Sequence, residues 1–197
     1  MSLKHNIKIG DVTAGHVQGI ATDKERRYMY FSFTTCLIKT DMDGNVIGSV
    51  SGFVGHLGCI AYNEEDGRIY GSLEYKYDAI GKGILNKLNA EKTEDGFYIA
   101  IFDVDKLTRE DMDAERDGIV SSVYLSEVVK DYTAPGHKYG CSGIDGVTFA
   151  PPPADMTAKK QHSAVGCRHS SSHPPMRSSS WAFGVPCRMS VLCIQGS

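Results

Sequence analysis

Three histidines each follow a glycine and lead into an apolar stretch: His16, His56 and His137. The first interval is 40 residues and the second 81, close to twice the first. Imidazole can hold a divalent metal or move protons near neutral pH. Three imidazoles at equivalent places of a repeating unit would converge on one point. Asp145 interrupts the apolar run Gly143-Ile144-Asp145-Gly146-Val147 and could join them from the same face. The alternative is structural: the glycine turns the chain, and the ring hydrogen-bonds backbone in the next unit.

A second group of candidates is Glu74, Tyr75 and Tyr77, with Lys76 and Asp78 between and after them. They open a long insertion, and loops on a rigid scaffold often carry binding function. Tyrosines there suit a sugar or another flat ligand by stacking, or else pack the insertion onto its own unit. Asp41-Met42-Asp43-Gly44-Asn45 has the look of a calcium loop, but an EF-hand needs a glutamate eleven positions after Asp41, where Gly52 stands. A hairpin turn is the better reading, because Asp-Gly supplies positive φ cheaply. No nucleophile elbow, P-loop or dinucleotide-binding glycine pattern is present.

The elements that must position these residues read as strands. Val17 to Thr22, Tyr28 to Phe33, Thr35 to Thr40 and Asn45 to Val50 form one set of four, joined by the charged turn Asp23 to Arg27 and the Asp-Gly hairpin. Gly58 to Asn63, Arg68 to Leu73, Phe97 to Val104 and Ile119 to Ser126 repeat the plan. Asp23 and Asn63 are equivalent and suit turn caps. Within the insertion, Glu74 to Gly96, the residues Ile80, Ile84 and Leu88 would share one face of a short helix. Asp105 to Arg116 is polar and could hold a helical turn. Gly143 to Ala150 is the last convincing strand.

A repeat of about 40 residues with four strands per unit indicates blades of a β-propeller. The expected fold class is all-β: a partial propeller of two to three blades over residues 1–150, with blades starting near 15, 55 and 136. The opening G-I-A-x-D, the aromatic second strand YMYFSF and the hairpin L-I-K-x-D-x-D-G-N-V resemble NHL-type and related six- or seven-bladed propeller repeats, over roughly residues 14–150. The resemblance implies that the first strand of each blade lines a central channel. His16, His56, His137 and Asp145 would then stand at one mouth of it. Two to three blades cannot close a ring, so the open flank calls for further blades, a partner chain or tolerance of an exposed edge.

Residues 151–197 differ in composition from the rest. Residues 1–150 carry 16 basic and 23 acidic residues, a net −7, and all ten tyrosines; the remainder carries five basic residues against Asp155 alone, a net +4. Six of the seven prolines and three of the six cysteines lie there, with two runs of three serines. Such a segment is expected to be a low-order tail, an interaction or targeting segment, or an out-of-frame translation in place of further blades.

The net charge of −3, with no basic stripe, excludes nucleic acid as an expected partner. No apolar stretch reaches the roughly 18 residues of a membrane span, and no leader is recognisable, so the expected location is cytoplasmic, with an extracellular one left open. No cysteine pair has CxxC spacing; Cys59 and Cys141 read as small buried hydrophobes. The function expected first is a scaffold for a small polar ligand, a glycan or a protein segment. The alternatives are a hydrolase or lyase using the histidines, with or without a divalent metal, and a truncated product with no function of its own.

Overall fold

The computed structural model describes residues 6–9, 15–76, 79–89, 91, 95–135, 143–150, 177–181 and 188–194. The all-β expectation holds: twelve strands and two short helices run in chain order among these residues. The strands are β1 (Gly19–Thr22), β2 (Tyr28–Phe33), β3 (Cys36–Asp41), β4 (Val46–Ser51), β5 (His56–Asn63), β6 (Arg68–Tyr75), β7 (Gly96–Phe102), β8 (Met112–Asp113), β9 (Val120–Tyr124), β10 (Gly143–Ala150), β11 (Arg177–Trp181) and β12 (Arg188–Ile194). Helix α1 (Ala79–Leu88) lies between β6 and β7, and α2 (Ser126–Tyr132) follows β9.

Three sheets result. The first has the order β1-β2-β3-β4-β8, the second β5-β6-β7-β9 and the third β10-β12-β11. The first four strands of sheet one, and all of sheet two, are antiparallel meanders. Short polar turns dictate this. The buried Asp23 carboxylate accepts the N–H groups of Arg27 (2.7 Å) and Tyr28 (2.8 Å), closing the first turn. Asp41 accepts those of Asp43 (2.8 Å) and Asn45 (2.9 Å), and Gly44 takes the positive φ of 90° that this hairpin requires.

The sheets pack through repeated contacts. Tyr30 of sheet one stacks on Tyr62 of sheet two, with ring centroids 6.1 Å apart. Tyr70, forty residues after Tyr30, meets Phe149 of sheet three edge to face at 4.9 Å. Ser32 donates its hydroxyl to the Gly58 carbonyl of sheet two at 2.6 Å. Ser72, forty residues on, lies 3.4 Å from the Cys59 thiol, which is 3.8 Å from the Ile144 carbonyl of sheet three. The first strands adjoin: β1 packs on β5, and β5 on β10. One apolar core fills the space between sheets one and two, with Leu37, Val50, Leu57 and Phe102 in it; a second lies between sheets two and three, around Tyr70, Phe97, Ile99, Ile144 and Val147.

Three local expectations change. Asp105 to Arg116 forms turns and the short strand β8, which pairs in parallel with β4 through Val50 and Met112, and no helical turn. Burial of Leu107 and Met112 against sheet one decides this, because local propensity yields to packing. The face of α1 that is buried is Gly81, Ile84 and Leu85, shifted from the expected one; the side chain of Ile80 lies outside the described residues. Where composition leads one to expect a low-order tail, the described stretches Arg177–Trp181 and Arg188–Ile194 are strands. They extend β10, with Val147 opposite Val191 and Phe149 opposite Met189. The apolar, β-favouring run Met189 to Ile194 is the strand on which β10 pairs among the described residues.

Candidate functional site

His16 and His56 stand at the leading ends of the first strands of the first two sheets, and Glu74 stands beside the second of them. His16 precedes β1 and is exposed; the Gln18 amide nitrogen lies 2.9 Å from its Nε2. His56 opens β5, is half-buried, and stands directly across the strand pair from Glu74. Gly58 packs closely here: a Cβ on it would lie 2.6 Å from Ser72 Oγ and 3.9 Å from the His56 Nδ1.

Glu74 is the best-defined member. Its side chain is 11% exposed. One oxygen accepts the Ile144 backbone N–H at 3.1 Å, and the other lies 3.5 Å from Lys76 Nζ. The carboxylate therefore ties the last residue but one of β6 to the start of β10, across a sheet boundary. Desolvation in such a place is offset by charge-assisted hydrogen bonding. Tyr75 is buried beneath α1, where a Cβ on Gly81 would lie 3.1 Å from its ring, so it packs the insertion. His137 and Tyr77 lie outside the described residues. The backbone of Asp145 runs in β10 beside Ile144, and its side chain is likewise outside the described part.

The structure thus brings His56, Glu74 and Lys76 to one place, next to the backbone of Asp145. Among the described residues, no three His, Cys, Asp or Glu side chains stand close enough to hold one metal ion. Chemically, the set offers a carboxylate acceptor, an ammonium donor and an imidazole that can do either.

Sequence reasoning passed over several residues. Ser32 ties sheet one to sheet two, while Ser72, forty residues on, meets Cys59 of its own sheet; the shared spacing was the available signal. Lys39 is buried in β3, donates to the Val104 carbonyl at 2.8 Å and sits 4.4 Å from the centre of the Tyr28 ring. Burial pushes its amine below the ordinary lysine range, and nearby Asp105 partly opposes this. A charge inside the apolar run TCLIKT was the signal there. Burial also raises the Cys36 thiol to about 11, so it is protonated at neutral pH and a poor nucleophile. Tyr70 is pushed up to about 12, by burial first and then by the hydrogen bond to Asp66, which leaves its hydroxyl a donor.

No family model, curated protein or solved structure matches this chain. No helix among the described residues is long and apolar enough to cross a membrane.

Proposed function

We propose that the chain is a binding scaffold of the β-propeller-repeat type, holding a small polar ligand at the leading ends of its first strands. The repeat reading is supported by the forty-residue pairs Tyr30 and Tyr70, Ser32 and Ser72, and Asp23 and Asn63. All six are buried, and the two tyrosines make equivalent ring contacts to the sheet that follows. It is also supported by the side-by-side course of β1, β5 and β10.

The single observation that carries the binding reading is the Glu74 carboxylate, held between Lys76 and the Ile144 amide and facing His56 across the strand pair. A carboxylate, an ammonium and an imidazole on a rigid rim suit a hydroxyl-rich molecule, whose groups both donate and accept. The test is a thermal-shift series with monosaccharides, disaccharides and polyols. A saturable rise in melting temperature with at least one of them is expected, and Glu74→Gln should abolish it. No rise with any sugar or polyol, or an unchanged rise in Glu74→Gln, overturns the reading. Stoichiometric divalent metal in the purified chain, lost in His56→Ala, would move the reading to a histidine-dependent hydrolase or lyase.

A further inference from the structure

The first strand of each sheet carries the same irregularity at the same place. Leu57 pairs with Leu73 and Ile60 with Gly71, so Gly58 and Cys59 stand together against Ser72. Ile144 pairs with Cys193 and Gly146 with Leu192, so Asp145 is an extra residue in β10. In sheet one Gly19 is opposite Ser32, and the Gln18 N–H reaches the same Ser32 carbonyl at 2.8 Å. Each is a β-bulge, which bends the strand and re-aims a side chain. Aligned on the bulge, the first strands read Val17-Gln18-Gly19-Ile20, Leu57-Gly58-Cys59-Ile60 and Ile144-Asp145-Gly146-Val147.

The two bulge positions have different tasks. The second is small in every strand: Gly19, Cys59 or Gly146. Close packing explains the first of these, since a Cβ on Gly19 would lie 2.9 Å from the Ile60 nitrogen. Packing also explains Gly58 at the leading position, where a Cβ would lie 2.6 Å from Ser72 Oγ. It does not explain Gln18. That side chain is half-buried, and its amide nitrogen lies 2.9 Å from Nε2 of His16, a ring that is itself exposed. Val17, between the two, is 40% exposed, whereas its counterparts Leu57 and Ile144 are buried. A carboxamide, an imidazole and an apolar patch are thus presented together at the leading end of β1, as Glu74, Lys76 and His56 are beside β5.

We infer that Gln18 is a second ligand-contacting residue, and that the ligand is a saccharide of two or more units lying across β5 from Glu74 to Gln18. The inference deepens the binding reading above and rests on it. Glu74 belongs to β6, which pairs with β5, while β1 packs against β5 from sheet one. Strands lie about 5 Å apart within a sheet and about 10 Å apart between packed layers, so the span is on the order of 10–15 Å. That is wider than one sugar ring. A carboxamide both donates and accepts, as sugar hydroxyls do. Val17 beside it offers the apolar surface on which the C–H face of a sugar packs. A ligand of repeated units also suits a rim on which the same bulge recurs from strand to strand.

The test is calorimetric titration of the full chain with glucose, mannose, galactose and N-acetylglucosamine and with their disaccharides and trisaccharides. At least one disaccharide should bind about tenfold more tightly than its monosaccharide, the worth of one further hydrogen bond with its apolar contact. Gln18→Ala should bring that ratio down towards one, with far-UV circular dichroism on the same samples showing the strand spectrum kept. Should Gln18→Ala fail to fold, Gln18→Met, which keeps the length of the side chain without its hydrogen-bonding groups, is read in its place. Wild-type protein that binds no disaccharide more tightly than its monosaccharide overturns the inference and leaves the Glu74 reading standing. So does a variant with a lowered melting temperature and an unchanged ratio, or failure of both variants to fold, since Gln18 would then be a structural residue. No binding of any sugar removes the Glu74 reading, and this inference with it.

Discussion

Ser32 is a small side chain with a large structural task. Its hydroxyl is fully buried and donates across a sheet boundary to the Gly58 carbonyl at 2.6 Å. Ser32→Ala would leave that carbonyl without this donor in a dry place, a loss of about 1–3 kcal/mol; chemical denaturation of the two proteins measures it, and an unchanged midpoint would show the contact to be idle. Asp41 acts at the surface. Hydrogen bonds from Asn45, and then from the backbone of Asp43 and Gly44, hold its carboxyl below the usual carboxylate range. A lowered folded value means that this stability is present above the unfolded value of about 3.9 and is lost as pH falls through the folded one. Asp41→Asn should lower stability at neutral pH and flatten the acid limb of the stability curve, the two proteins converging at low pH, as urea midpoints across the pH series would show. The candidate residues themselves were readable as types. What the chain could not disclose was the Glu74–Ile144 link, because it joins residues seventy positions apart and no local pattern encodes that distance.

At the scale of elements, the close approach of first strands depends on small residues. A Cβ on Gly19 would lie 2.9 Å from the Ile60 nitrogen and 3.1 Å from the Cys59 Cα, both backbone atoms that cannot rotate away. Gly19→Ala should therefore force β1 from β5 and cost about 1–3 kcal/mol, visible as a lowered melting temperature. A neutral result would mean that the strands part without cost. The strands β2 to β4 were legible from alternation, aromatic content and the Asp-Gly turn, all of them local signals. Helix α2 was not. Its sequence SEVVKDY is short and polar, its N-cap Leu125 makes no side-chain cap, and Tyr132 is held by the Phe97 ring at 5.0 Å, a tertiary contact. The two-residue β8 was invisible for the same reason, since it exists only because β4 is beside it.

Across the whole molecule, the forty-residue pattern carried the order of sheets one and two, and their antiparallel meanders follow from it. The pattern weakened after Ala150, where composition changes and the aromatic second strand has no counterpart. Pairing of β10 with β12 instead joins residues from 38 (Ala150 and Arg188) to 51 (Gly143 and Ile194) positions apart. Sheets one and two are also interlocked. The stretch between β7 and β9 reaches back to sheet one, where Ala114 donates to the Ser51 carbonyl at 2.8 Å, Ser49 donates to the Arg109 carbonyl at 3.1 Å, and Leu107 and Met112 are buried.

That reach has a consequence for the life of the protein in a protease-rich setting. Arg109 is exposed and lies within the segment that shields the outer strand of the first sheet. A single tryptic nick there would leave the chain's mass almost intact yet unlatch a bare hydrogen-bonding border, turning a well-behaved particle into a seed for clumping.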